Sequence, residues 1–384
     1  MQQSISKESA ALRTWIEIDT KAIAKNYRVF RKLIGKKTLF MAVVKSNAYG
    51  HNLREFSGAM DRLGVDWLGV DSITEALALR RDGITTPILV LGFTLPTLYP
   101  EARKHKVSIT ISSFPQLNEA LRLKPSKTPL QVHIKVDTGM HRQGFELGVA
   151  QKLLSTLGQA PLGIIHIQGL YTHFAEAKDL KNSDATKRQI EEYEHWAKLF
   201  YEAGHDPIHH TSATGGAMLY HKAHFDMVRI GIGCYGLWPS DESKQHLSRD
   251  ITLSPALSWK AVVSEVKTVK KGGRVGYDST EMLRRDSTLA IIPVGYWHGI
   301  PRLLSSKGRV LIRGKSAGIV GRVSMDMIVV DVTDIVGVKM GDEVVLIGNQ
   351  GKENIEASEI ARYSATTHYE VLTRLNPLIR RIYR

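Results

Sequence analysis

The chain has 384 residues, of which 43% are hydrophobic and 23% charged. These are the proportions of a folded globular protein, and the length exceeds one ordinary core and suggests two domains. The formal net charge is +14 and the only cysteine is Cys234. The basic residues are spread along the whole chain without a block or interleaved aromatics, so no nucleic-acid partner is expected, and a lone cysteine excludes an internal disulfide.

Taken in chain order, the first half alternates short apolar runs with amphipathic ones. Residues 1–11 are polar, and the leader from Met1 to Thr14 lacks an apolar core of signal-peptide length, so a cytoplasmic location is expected. No apolar stretch is long enough to span a bilayer, so no membrane partner is expected. Trp15–Asp19 reads as a strand, followed by a helix that Thr20 caps, with Ile23, Tyr27, Phe30 and Leu33 at helical spacing. Strand patterns follow at Leu39–Lys45, Trp67–Asp71, Ile88–Leu91, Val107–Ser112, Val132–Asp137 and Ile164–Thr172, with helical patterns between them and a long one at Thr186–Ala203. Repeated strand-helix units of this length predict an α/β fold with a closed parallel barrel of the (β/α)8 type, with an open doubly wound sheet as the structural alternative. No glycine fingerprint follows the first strand to support dinucleotide binding.

From about Leu253 the texture changes. Ala256–Val269, Thr288–Tyr296, Arg309–Arg313, Ile328–Val332 and Glu343–Ile347 are strand-like, and helical pattern returns only at Ala357–Leu375. The expected organisation is a barrel over residues 12–250 and a mostly β domain over 251–384, with residues 1–11 packing near the latter and a boundary in the polar stretch Ser240–Asp250.

One segment stands out chemically. The run Met41-Ala42-Val43-Val44 ends in Lys45, followed by the polar turn Ser46-Asn47-Ala48-Tyr49-Gly50. A buried strand that ends in one amine delivers it to the mouth of a barrel, and desolvation there disfavours the ammonium form. A neutral amine forms a Schiff base with an aldehyde cofactor such as pyridoxal phosphate. Alone this is a weak signal, because many strand-end lysines only reach for water.

Further motifs line up behind it. These are Lys135-Val136-Asp137-Thr138-Gly139-Met140-His141-Arg142, Leu170-Tyr171-Thr172-His173-Phe174-Ala175, Thr211-Ser212-Ala213, Val228-Arg229-Ile230-Gly231-Ile232 and Tyr235-Gly236-Leu237. In the second half stand Val275-Gly276-Tyr277, Val294-Gly295-Tyr296, Pro301-Arg302, Gly321-Arg322-Val323-Ser324-Met325-Asp326 and Thr367-His368-Tyr369-Glu370. From Trp15 to Tyr383 the series resembles the alanine racemase family of pyridoxal phosphate enzymes. The resemblance implies a (β/α)8 barrel, a C-terminal β domain and a homodimer with shared active sites. It implies that Lys45 carries the cofactor and acts as one base, while Tyr277 of the partner subunit acts as the other. It implies a supporting chain from Tyr277 through His173 to Arg229, which faces the pyridine nitrogen, and an Arg142 that contacts the cofactor and the substrate carboxylate. Lys135, often carbamylated in the family, would hold Arg142. Tyr49, Ser212, Gly231, Ile232 and Tyr369 would bind the cofactor phosphate, and Met325 and Tyr296 would line the substrate site. No metal is implied. Supply of D-alanine for peptidoglycan is the physiological role that the resemblance carries.

The chemistry agrees with these residue types. Racemisation needs two acid/base groups on opposite faces of a planar intermediate. A phenol is a poor base at its ordinary pKa and needs support. An arginine at the pyridine nitrogen stays charged and leaves that nitrogen unprotonated, which disfavours the transamination and decarboxylation that a carboxylate would promote.

The chain departs from the family pattern at four places. Thr211 stands where asparagine usually precedes the phosphate serine. Lys178 replaces a common acid. Trp297-His298, with Ile300 nearby, replaces a usual alanine-aspartate pair and a second tyrosine. Ser324 replaces a common cysteine. The last three sites are expected around the substrate corridor, which leaves open a preference for serine or a broader substrate range. A decarboxylase or a non-catalytic pyridoxal phosphate-binding protein fits less well, because Arg229, Tyr277 and the whole second half argue against them.

Overall fold

The structure is a computed structural model that describes residues 11–180 and 183–384. The expectation for residues 1–11 therefore falls, but for Ala11, outside the described residues. The chain divides into two compact units, one of residues 22–48 and 53–254, the other of the residues up to 21 together with 49–52 and 255–384.

The first unit is the barrel. Its eight strands are all parallel and run in the order β8-β7-β6-β5-β4-β3-β2-β9. With β1 (Thr14–Ile18) assigned elsewhere, they are β2 (Leu39–Val43), β3 (Trp67–Val70), β4 (Ile88–Val90), β5 (Val107–Ile111), β6 (Leu130–Lys135), β7 (Ile165–Tyr171), β8 (Ile208–His210) and β9 (Met227–Ile230). The ring closes where Asp226 N–H donates to His209 O at 3.0 Å and Arg229 N–H donates to Ser212 O at 2.9 Å. Strands β3, β4, β5 and β9 are buried along their whole length, as continuous apolar runs between two layers must be. Met41, Trp67, Leu89 and Met227 pack as a layer inside the ring.

One expected strand lies in the other unit, and two barrel strands were not expected. Trp15–Asp19 is not a barrel strand. Thr14–Ile18 pairs antiparallel with β10 (Leu257–Val262) and parallel with β20 (Arg381–Tyr383) in the second unit, so the boundary expected at residue 12 lies further on. Its buried Trp15, Ile16 and Ile18 fit either sheet, and only a partner more than two hundred residues away decides between them. The two strands that complete the barrel, β8 and β9, are only three and four residues long and carry His209, His210 and Arg229, which dilutes the apolar signal.

The second unit is mostly β, as expected. Besides β10 and β20 it contains β11 (Glu265–Val269), β12 (Arg274–Val275), β13 (Glu281–Met282), β14 (Ser287–Ile292), β15 (Arg309–Ile312), β16 (Lys315–Gly318), β17 (Ile328–Asp331), β18 (Glu343–Gln350) and β19 (Glu353–Ile355). A seven-stranded sheet runs β16-β15-β18-β10-β1-β20 with β19 on β18, beside a three-stranded sheet β11-β14-β17 and the β12-β13 hairpin. The expected helix over 357–375 is two short helices, Ala357–Tyr363 and His368–Thr373, parted where Ala365 takes a left-handed φ of 51°. Among the described residues no helix is long and apolar enough to cross a membrane.

Candidate active site

The barrel unit brings its reactive side chains to the C-terminal ends of its strands, where this architecture carries its chemistry. Lys45 follows β2 directly. Val44 N–H donates to Gly69 O, and then Ser46, Asn47 and Ala48 run left-handed with φ of 56°, 55° and 50°. With Tyr49 at φ 51°, four successive non-glycine residues lie in that region, at about 1–2 kcal/mol each. The turn holds because Ala48 is fully buried, Asn47 Oδ1 accepts from Leu53 N–H, and Asn47 N–H donates to Glu75 Oε1. The Lys45 amine lies 3.5 Å from Asp71 Oδ1, and its side chain is 38% exposed. The amine is thus set at the strand end, beside a carboxylate.

Arg229, on β9, is the most constrained of the site residues. It is 3% exposed. Nη1 donates to His210 O and His210 Nδ1, and Nη2 donates to Thr172 O, Thr211 O and His173 Nδ1, at 2.7–3.1 Å. Burial brings its pKa down to about 10, which still leaves it charged at neutral pH. Because an arginine only donates, Nδ1 of both histidines must be the unprotonated nitrogen and their protons sit on Nε2. Burial first, and the Arg229 charge second, push His173 down to about 3. His210 is lowered for the same reasons, and its Nε2 lies 2.8 Å from His133 Nδ1 inside the barrel. Sequence reading missed His210 and His133. The adjacent pair His209-His210 was visible, but nothing local told which imidazole turns inward.

Lys135 ends β6. It is 5% exposed, and burial together with the Arg142 and Arg229 charges lowers its pKa to about 8. Beyond it the Asp137 carboxylate gathers four backbone N–H groups, from Gly139, Met140, His141 and Arg142. Burial would raise Asp137, but these four donors hold it below the ordinary carboxylate range. The loop they wrap carries Arg142, which is exposed.

Three hydroxyls flank the expected phosphate end. Ser212 is fully buried, and its hydroxyl donates to Ala223 O at 2.8 Å, beside the Thr211 hydroxyl at 2.7 Å on the same carbonyl. The hydroxyl that reaches the Gly231 amide is that of Thr214, two residues on, which accepts from Gly231 N–H at 3.1 Å and Gly233 N–H at 3.4 Å. Ile232, next to Gly231, is buried. Ser212 is thus turned toward Ala223 and Thr214 toward Gly231. The Thr211 departure is a strut, since its hydroxyl holds Ala223 O and its carbonyl accepts from Arg229.

The second unit holds the remaining residues. The Tyr49 and Tyr369 rings lie 6.2 Å apart, and burial raises Tyr369 to about 12. Tyr277, 69% exposed, sits in a turn with left-handed Asp278 and Ser279, tied by the Asp278–Arg322 ion pair. Tyr296 and Met325 stand on two turns zipped together, with Tyr296 N–H on Ser324 O and Trp297 N–H on Met325 O. Gly295 is required there, because a Cβ would meet Ser324 O at 2.1 Å. Tyr296, Trp297, Met325 and Met327 are all about half exposed.

The departures nearby are mostly structural. His298 is buried and its Nδ1 accepts from Gly295 N–H, so the imidazole caps its own turn as a carboxylate would. Ile300 is buried among Leu304, Ile319 and Ile360. Neither side chain faces solvent.

An eight-stranded barrel with a strand-end lysine, a buried arginine bonded to two neutral imidazoles and a hydroxyl-amide cup, joined to a β unit, defines a barrel-type pyridoxal phosphate enzyme. The profile of the alanine racemase N-terminal domain matches residues 18–239, and that of the C-terminal domain matches residues 256–383. The alanine racemase of Symbiobacterium thermophilum is 38% identical, over 96% of this chain and 97% of its own length. That of Leptospira interrogans serovar copenhageni is 36% identical over 99% of both. A crystal structure of the Bacillus anthracis alanine racemase with bound L-Ala-P superposes with a TM-score of 0.91 at 35% identity, covering 97% of this chain and 95% of that one. The Bartonella henselae enzyme, with covalently bound pyridoxal phosphate, gives 0.86 at 29%, covering 97% and 99%. The chain belongs to the alanine racemase family, and it is a pyridoxal phosphate-dependent isomerase.

Proposed function

We propose that this enzyme interconverts L- and D-alanine with Lys45 serving one face of the α-carbon and Tyr277 the other. The observation that carries the reading is the bonding of Arg229, which fixes a permanent cation and a neutral His173 in one rigid group. The residues fit the cofactor. Lys45 offers the amine, and the Ser212 and Thr214 hydroxyls with the Ile232 amide offer donors suited to a phosphate, while Gly231, whose N–H is held by Thr214, lets the backbone come close. Tyr49 and Tyr369 are further phosphate-end candidates. Pyridoxal phosphate, when bound, supplies the aldehyde carbon for the amine and an electron sink that acidifies the α-C–H.

Each side chain then has a defined task. The strained turn holds the Lys45 amine where a proton can be taken from, or returned to, one face. Arg229 keeps a positive charge at the ring nitrogen and thereby disfavours transamination. His173, with its proton on Nε2, donates toward the Tyr277 phenolic oxygen and supports its anionic form. Arg142 pairs with the substrate carboxylate, helped by the Met325 amide, and Tyr296 lines the approach. Lys135, lowered and nucleophilic, is suited to carbamylation, which turns its repulsion of Arg142 into attraction.

Tyr277 acts in the partner subunit's site of a homodimer. The half-exposed apolar group of Tyr296, Trp297, Met325 and Met327 around its turn supports this, because such a patch calls for a cover. The one buried cysteine fits a cytoplasmic, reducing setting. Mixing Lys45→Ala with Tyr277→Phe protein tests the shared site. Exchanged subunits are expected to regain about a quarter of wild-type activity per dimer population, from the statistics of one hybrid site. No recovery after verified exchange would contradict the shared site.

A further inference from the structure

Lys135 is a buried cation in cationic company. Arg142, Arg229 and Lys45 all repel it, and Asp137, the carboxylate that attracts it, spends its oxygens on four backbone N–H groups. The side-chain hydrogen bond of the Lys135 amine goes to Gln143, whose Oε1 accepts it at 3.3 Å. The loop makes this pairing obligatory. Phe145 N–H donates to Lys135 O at 3.0 Å and Asp137 N–H donates to Phe145 O at 2.9 Å, so the loop returns on itself. Gly144 lies at φ 135°, with Asp137 N only 2.4 Å from where a Cβ would sit. Gln143 is therefore held opposite the residue that starts the loop.

We propose that Gln143 is a two-way positioning residue that accommodates Lys135 both as an ammonium and as a carbamate. This rests on the carbamylation reading above. A primary amide presents an acceptor and two donors at the same radius, and a half-turn about its last torsion exchanges them. With the ammonium, Oε1 accepts from Nζ, as seen. For carbon dioxide to add, the ammonium first gives one proton to solvent; the freed Nζ lone pair then bonds to the carbon, one C–O π pair moves onto oxygen, and the nitrogen loses a second proton to solvent. The new carboxylate then needs donors. Gln143 turns its Nε2–H₂ toward it, while Arg142 supplies the charge. A glutamate at 143 would hold only the ammonium, and a leucine would hold neither form.

The test is ¹³C NMR of cofactor-loaded protein equilibrated with ¹³C-bicarbonate at pH 8, for wild type and the Lys135→Ala, Gln143→Glu and Gln143→Leu variants, with loading and melting checked for each. Wild type is expected to show a carbamate resonance that Lys135→Ala removes. Gln143→Glu should reduce it about tenfold or more, and Gln143→Leu about threefold, as one hydrogen bond to a charged group is lost or replaced by repulsion. KM for alanine should rise in Gln143→Glu more than kcat falls, because Arg142 loses its anchor. A resonance of wild-type intensity in a folded Gln143→Glu protein would overturn the role of Gln143 while leaving the carbamate. No Lys135-dependent resonance in wild type would overturn the carbamate reading, and this inference with it.

Discussion

The barrel mouth and the outer turns of the β unit solve the problem of presenting a reactive group in opposite ways. Around Arg229 both terminal guanidinium nitrogens are held by acceptors of the barrel mouth, and two neighbouring imidazoles are locked in one tautomer by a single guanidinium. Tyr277, Tyr296 and Met325 instead stand on exposed turns whose backbones are fixed, by left-handed residues and paired strands, while their side chains meet solvent. Rigidity in the first region comes from satisfied polar groups at low dielectric. In the second it comes from the backbone alone, and the side chains acquire an environment only when something covers them.

The comparison is sharpened most by removing the amine. Lys45→Ala should abolish racemisation by at least about 10⁴-fold and the absorbance of lysine-bound cofactor with it, as no other amine follows that turn. Ultraviolet-visible spectra and chiral chromatography measure both. Tyr277→Phe, in the exposed region, should cost about 10²–10⁴-fold in racemisation yet leave the absorbance and melting temperature intact.

Smaller effects test the rigid region. His173 and His133 are held at about 3 by burial. Their folded-state pKa lies below the unfolded value near 6.5, so the unfolded chain takes up protons first as pH falls. Their contribution is present above pH 6.5 and lost toward pH 3, by up to about 1.4 kcal/mol per pH unit for each group. Denaturant midpoints between pH 7 and 4 should fall steeply in wild type, and His133→Gln should flatten the slope by about one proton. An unchanged slope would mean that the imidazole is not neutral in the fold. Thr214→Ala should weaken cofactor binding about tenfold, and Ser212→Ala by less, since only the former touches the Gly231 amide. Equilibrium titration that ranks them the other way would make Ser212 the stronger phosphate contact.

Much of this was legible in the sequence, for reasons that particular residues make plain. The Leu39–Lys45 strand, the Asp137–Arg142 loop and the mostly β second half all announce themselves through local pattern. Three things did not. The strand of Trp15 looks like the first barrel repeat, and only its pairing with β10 and β20 assigns it to the other unit. The partners of the Thr211, Ser212 and Thr214 hydroxyls, Ala223 O for the first two and the Gly231 amide for the third, are set by the fold. His298 reads as a changed charge at an entrance, whereas the fold turns it inward to cap Gly295. For Trp15 the deciding partners lie far along the chain, and for the others the direction in which a side chain turns is set by the fold and not by local pattern.

The central claim is that Lys45 and Tyr277 serve opposite faces of the substrate. It is tested most directly by following the α-hydrogen of L- and D-alanine by NMR in D₂O with the Tyr277→Phe enzyme. The account predicts that D-alanine still exchanges its α-hydrogen, through Lys45 and without inversion, while exchange from L-alanine falls by the full factor lost in racemisation. Exchange of both enantiomers at wild-type rates, with inversion, would contradict it.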